Sequence, residues 1–387
     1  MKKNHLKVLA LALLLPAAFA VQSCSNEDDP IPPATATGIA SNPNDFRGEV
    51  KSGEKVTLDA TEVYKLTGGV HVKDGGQLII PAGTRIESTG GTSAYVTVEQ
   101  GGKIFANGTA SAPVVFTSPT GAPGSWGGIV IAGKAPINKG TTASAEVGNA
   151  TYGGTVANDN SGSLTYVRIE HSGAIFTGEK EFNGLSLFGV GSGTTISNIS
   201  ILNGADDGIE FFGGTVNVSN IISVGNEDDG FDWTEGWNGT ATNVYTKRRA
   251  NGIGNRGIEA DNNAENNNAE PRSNPTIKNA TFIGATSGES DGIKLRVGTY
   301  ATIDNVVLSN WNTGINVEHD ASVAYFNGTG KITNVKFDAV TTKASVKASA
   351  GSIAAVLLAN TFVENASATG AGNGTAAPAW AATWGGL

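Results

Sequence analysis

The chain is 387 residues long and acidic, with a formal net charge of −9, 53 glycines and a single cysteine, Cys24. This length suffices for a large core, and one cysteine excludes a disulfide within the chain. The negative balance disfavours nucleic acid and anionic lipid heads as partners, and it suits cations.

Lys2, Lys3 and Lys7 precede an apolar stretch from Val8 to Ala20. The stretch is too short to span a bilayer and reads as an export signal. It ends in Val21-Gln22-Ser23-Cys24, which resembles the lipobox of bacterial lipoproteins. A cleaved signal peptide over 1–23 and lipidation of Cys24 are therefore expected. The acidic run Ser25-Asn26-Glu27-Asp28-Asp29 resembles the surface-export signal of lipoproteins in the Bacteroidota; a plain acidic tether is the alternative. Residues 24–45 read as a flexible, acidic and Pro-rich tether. The protein is expected to hang lipid-anchored from the outer membrane, exposed at the cell surface, with other outer-membrane proteins as candidate partners.

From residue 46 onward the chain reads as one repeating domain to 387. Gly69-Val70-His71-Val72, Tyr95-Val96-Thr97-Val98, Gly127-Gly128-Ile129-Val130-Ile131 and Leu164-Thr165-Tyr166-Val167-Arg168-Ile169 open the series. Two marks then keep a period of about 22 residues, the signature of stacked coils that bury their apolar faces against their neighbours. The first mark is apolar-x-Asn-apolar, at Asn198, Asn220, Asn243, Asn279, Asn305 and Asn334. Its flanking apolar residues are three apart instead of two, so the chain bends at the asparagine, and stacked coils would build an asparagine ladder. The second mark is Gly-apolar-x-apolar, starting at Gly208, Gly230, Gly257, Gly292 and Gly314, where glycine is expected to supply a turn. Val, Ile, Thr and Gly enrichment without helical periodicity predicts an all-β fold: a single parallel β-helix of roughly a dozen coils, about 55–60 Å long at ~4.8 Å per coil.

The residue two after the glycine should face outward. Coil by coil it reads Glu210, Asp232, Glu259, Lys294, Asn316. Neighbouring carboxylates in such a row repel by about 1 kcal/mol per pair even in water-like dielectric. Bound Ca²⁺, Lys294 or raised pKa values would relieve that, and Glu210, Asp232 and Glu259 are the candidate metal ligands. Asp206-Asp207, Asp228-Asp229 and Asp291 extend the stripe, although Asp before Gly is also ordinary turn chemistry. Excess length falls after the Gly strands, which predicts loops walling one side of a groove. Trp237, Tyr300 and Tyr325 in those loops are candidate flat faces for sugar rings, with Lys294 beside them. His5, His71, His171 and His319 do not cluster, so no His-based metal site or triad is expected.

The repeats from about Gly184 to Val340 resemble the pectate-lyase-like right-handed parallel β-helix superfamily. With the lipobox, the tract Asp206-Asp207-Gly208-Ile209-Glu210-Phe211-Phe212-Gly213-Gly214 and the closing Trp380 and Trp384 are similar to Bacteroidota surface lipoproteins of that fold. The resemblance implies right-handedness. A polygalacturonase would add a Gly-His-Gly element, but His171 is followed by Ser172 and His319 by Asp320. The leading expectation is non-catalytic binding of a polysaccharide or other cell-surface glycan, or of a partner, along the loop-walled face. The alternatives are a Ca²⁺-dependent polysaccharide lyase, with Lys294 or Arg296 as the base, and a structural envelope or spacer protein.

Overall fold

An asparagine held in the left-handed region turns each coil. Asn198, Asn220, Asn243, Asn279, Asn305 and Asn334 have φ between 54° and 59°, a conformation that asparagine adopts more readily than other side-chain-bearing residues. Their amides stack: Nδ2 of Asn220, Asn243, Asn279 and Asn305 each donates to Oδ1 of the asparagine one coil back, at 2.8–3.1 Å. The ladder skips once, where Asn334 turns to Asp304, and resumes from Asn365 to Asn334 at 3.1 Å. Tyr166 takes the same bend one coil earlier, with φ 51°.

The computed structural model describes residues 37–352 and 361–387. The expected signal peptide and Cys24 lie outside the described residues. Residues 37–45, expected to close a flexible tether, are instead packed as a cap. Gly38–Ser41 form a 3₁₀ turn, Ala40 is buried, and the Thr37 N–H donates to the Thr57 carbonyl at 3.2 Å. The open end of a solenoid would otherwise expose its apolar core.

The coils form a right-handed parallel β-helix with three faces. The glycine sheet runs through Phe46–Val50, Val63–Val72, Val96–Val98, Ile129–Ala132, Leu185–Phe188, Ile209–Phe212, Phe231–Thr234, Ile258–Ala260 and Asp291–Leu295, and closes on Thr302–Glu318 and Ile332–Lys347. The other two faces lie before and after the asparagine bend of strands such as Thr195–Leu202, Val218–Val224, Thr240–Lys247 and Thr276–Ile283, each paired in register with the next. Inward positions fill one continuous core, including Ile209, Phe211, Phe231, Trp233 and Trp311, all buried.

Gly208 and Gly230 serve close packing, where the sequence suggested a turn. Neither has positive φ. A Cβ on Gly208 would lie 2.1 Å from Ser223 Oγ, and one on Gly230 2.7 Å from Thr246 Cβ. The strand can therefore press against the preceding sheet only where no side chain intervenes.

Two segments cover outward faces. The hairpin of Ala143–Ser144 and Thr151–Tyr152, with that of Ile175–Thr177 and Lys180–Glu181, lies over the glycine sheet. It buries Val130, Phe182, Phe188 and Phe212 in a second apolar cluster. Residues 365–387 form a strap along the outer face of the post-asparagine sheet. Along it, Ala371 N–H donates to Thr281 Oγ1, and Ser200 Oγ donates to the Gly385 carbonyl at 2.6 Å. Trp384 and Ala381 pack on Leu202, Ile222 and Tyr245. Among the described residues, no helix is long and apolar enough to cross a membrane.

Candidate functional site

In-register pairing of the glycine sheet sets Ser186, Glu210, Asp232, Glu259, Lys294 and Asn316 in one outward row. The residues just before the glycines, Asp207 and Asp229, are buried beside it, and the Asp229 N–H donates to Asp207 Oδ1 at 2.8 Å. Parallel strands stack at ~4.8 Å, so the acids of successive coils face one another.

They converge in three groups: Asp206, Asp207 and Asp228; Asp207, Glu210 and Asp232; and Asp229, Asp232 and Glu259. Within each group, ligand oxygens lie within 4.8 Å of one another. Asp207 and Asp232 belong to two groups each, so the three merge into one basin. Burial pushes the carboxyl groups of Asp207, Glu210 and Asp232 well above their ordinary range, and the neighbouring carboxylates push the same way. Asp206 and Asp229 rise to about 7, again mainly through burial.

One end of the basin meets a cationic step. Arg256 pairs with Asp229 at 3.1 Å, with Glu259 at 2.5 Å and with Glu289. Arg296 pairs with Glu259 and, at 2.7 Å, with Asp261. Lys294, 12% exposed, sits 3.8 Å from Glu289 and 3.7 Å from Glu318. Beyond this step the acids lose their cations. Among the described residues, Asp206, Asp207, Glu210, Asp228 and Asp232 form no ion pair. Asn183 donates to Glu210 at 2.7 Å, and Asn255 to Asp228.

Loops wall the basin on both edges, where the sequence suggested one. Turns 235–239, 261–275 and 296–301 follow the glycine strands. Segments 171–183, 248–256 and 284–290 precede them. Arg248 anchors the latter side: its guanidinium donates to the Ala285, Glu289 and Ser287 carbonyls at 3.1 Å and to that of Gly252.

The structure thus brings Glu210, Asp232 and Glu259 together and engages Lys294 and Arg296 with carboxylates. The aromatic expectations fare differently. Trp237 is not an exposed platform: it is fully buried, stacked on Phe211 at 3.9 Å, with its indole N–H donating to the Val216 carbonyl at 3.1 Å. Its loop folds inward and plugs the core. Tyr300 and Tyr325 stack on each other at 3.8 Å and 7°. Arg272 lies 4.5 Å over Tyr300 and Lys331 4.2 Å over Tyr325. All four are layered in one column, so neither ring keeps a free face for a sugar. The Arg256–Glu289 pair had no sequence signal, because Glu289 lies in a loop outside both repeat marks.

A family model described as a pectate-lyase like beta helix domain matches residues 48–385. The chain belongs to the pectate-lyase-like β-helix family. Comparison with curated proteins and with solved structures returns no match. In this pectate-lyase-like chain the basin occupies the outer face of the glycine sheet, between the two loop walls. Loop-walled faces of this kind are where solenoids commonly bind ligands.

Proposed function

We propose that the basin binds a divalent cation, with Ca²⁺ the best chemical match, and presents it to a carboxylate-bearing polysaccharide without cleaving it. One observation carries this reading: five acids without ion pairs share overlapping oxygen triads within 4.8 Å. Two oxygens on one Ca²⁺ lie at most about 4.6–5.2 Å apart, given bond lengths of 2.3–2.6 Å, and Ca²⁺ prefers all-oxygen ligands. Asp207, Glu210 and Asp232, one such triad, would hold the ion, and the ion would supply the positive charge that an anionic glycan needs.

The same face argues against elimination chemistry. A lyase base must accept a proton. Burial works against the charge of Arg296, yet Asp261 and Glu259 outweigh it and raise its pKa. Lys294 lies between Glu289 and Glu318. Both basic groups are committed to carboxylates, so binding is the stronger reading and the lyase the second. The lipid anchor at Cys24 and surface display belong to the same proposal, since a tethered binder holds polymer at the cell. Loss of membrane association in Cys24→Ala, with protease sensitivity of the wild type on intact cells, checks that part.

The deciding experiment is calorimetric titration of the purified protein with Ca²⁺, then with polygalacturonate and alginate, each with and without chelator. Ca²⁺ binding that Asp232→Asn weakens at least tenfold, and polymer binding that chelator removes, are expected. A flat Ca²⁺ titration sinks the proposal. Appearance of unsaturated uronate products, followed by ultraviolet absorbance, would transfer the site to the lyase reading.

A further inference from the structure

A second concavity opens on the edge where the glycine strands turn toward the pre-asparagine sheet. Its volume is about 450 Å³, within the range of small-molecule sites. Pro136, Pro271, Gly214 and Gly236 contribute its apolar surface, and Thr215, Asn238, Glu270 and Asn274 contribute polar groups.

The groove is built rigidly. Its long loop, 261–275, is tied to buried Asn262, which donates to the Ala269 carbonyl at 3.1 Å and accepts from the Ser273 N–H at 2.8 Å. The Gly236 N–H donates to Ser273 Oγ at 2.9 Å. Asn238 spends both amide hydrogens on the Gly236 and Arg272 carbonyls, each at 2.8 Å, which leaves its Oδ1 to accept. The Arg272 N–H holds Glu270 Oε2 at 2.8 Å, and Glu270 Oε1 faces Arg272 Nε at 3.5 Å on an otherwise exposed side chain.

Charge then selects the ligand class. Arg272 is the cationic residue lining the groove, and its guanidinium is engaged throughout. Nη1 donates to the Asn267 and Gly298 carbonyls at 2.9 and 2.8 Å, Nη2 to Asn268, and Nε faces Glu270 at 3.5 Å. Its flat face is stacked on Tyr300. Arg272 and Glu270 thus form one ion pair whose charges cancel, so the groove offers no net charge to anchor an ionic sugar. An apolar floor with a rim of acceptors and an amide matches the C–H face and hydroxyl edge of an uncharged pyranose.

We propose that this groove is a subsite for a neutral hexose unit of a glycan, separate from the cation basin and independent of metal. The protein would then grip polymer in two chemically different ways on adjoining surfaces.

The test uses the full chain in chelator, with saturation-transfer NMR against neutral gluco-, galacto-, manno- and xylo-oligosaccharides. One of these series is expected to bind, with affinity unchanged in Asp232→Asn. It should fall at least tenfold in Glu270→Ala and vanish in Asn274→Trp, which fills the groove from an exposed position. Both variants should keep the wild-type melting temperature. Failure of every neutral series to show transfer overturns the proposal. So does binding that persists in Asn274→Trp. Binding that requires Ca²⁺, or that Asp232→Asn abolishes, would assign the sugar to the basin and also overturn it.

Discussion

Replacing Asn243 with alanine would remove two things at once. The side chain gives one ladder hydrogen bond to Asn220 and receives one from Asn279, and its backbone sits at φ 59°. Lost hydrogen bonds between partly buried amides and alanine in the left-handed region each cost on the order of 1–2 kcal/mol. Asn243→Ala should therefore lower unfolding free energy by about 2–4 kcal/mol in denaturant titration. Asn243→Gly, which relieves the backbone but not the ladder, should cost less. The basin acids make a second residue-scale prediction. Asp206 and Asp229 rise from 3.8 to about 7 in the folded protein. Between about pH 4 and 7 the native state thus holds protons that the unfolded chain has released, and stability falls as pH rises through that window. In chelator the melting temperature should drop from pH 5 to pH 7.5. Ca²⁺ should flatten that drop, and Asp232→Asn should raise the melting temperature of the metal-free protein. A melting temperature independent of pH and Ca²⁺ would contradict this. At this scale the sequence was informative wherever chemistry followed the repeat. The asparagine bends and the row Glu210–Asp232–Glu259 follow from spacing alone. Trp237 was misplaced because a loop residue one turn past a strand carries no periodicity to show whether it points in or out.

The elements that the repeat does not mark are the two covers. The hairpins of 143–152 and 175–181 fall where coil spacing is interrupted, and nothing in their composition announces what they lie on. The outward positions of the post-asparagine strands give a clearer signal in retrospect. Ser200, Ile222, Tyr245, Thr281 and Val307 form one register row, and two large apolar members in an outward row need a lid. The strap supplies it, which gives Trp380 and Trp384 a physical role. Trp384 is 1% exposed and sits edge-on to Tyr166 at 5.8 Å. Its replacement by alanine should cost about 3–5 kcal/mol, as for other buried tryptophans, and should expose Ile222 and Tyr245. Thermal unfolding with a hydrophobic dye checks both parts, and an unchanged melting temperature would mean that the strap adds no stability.

Across the whole molecule, the period near 22 residues predicted the architecture, because a parallel β-helix repeats the same solution in every coil. The cap at 37–45 was not legible, since it joins the fold only by covering an end. Nor were the two-sided walls, which depend on how far each insertion folds back. The chemistry is distributed accordingly. A stacked row multiplies one carboxylate into a basin, while an edge with unequal loops makes a groove that occurs once.

The strap also orders events in time. Residues 365–387 lie against coils that leave the ribosome well before they do, reaching back to Ser200 and Arg168. Without them, Ile222 and Tyr245 would face water on the outer side of their coils. Docking of the strap hides that surface, so a stretch made later shields coils made earlier.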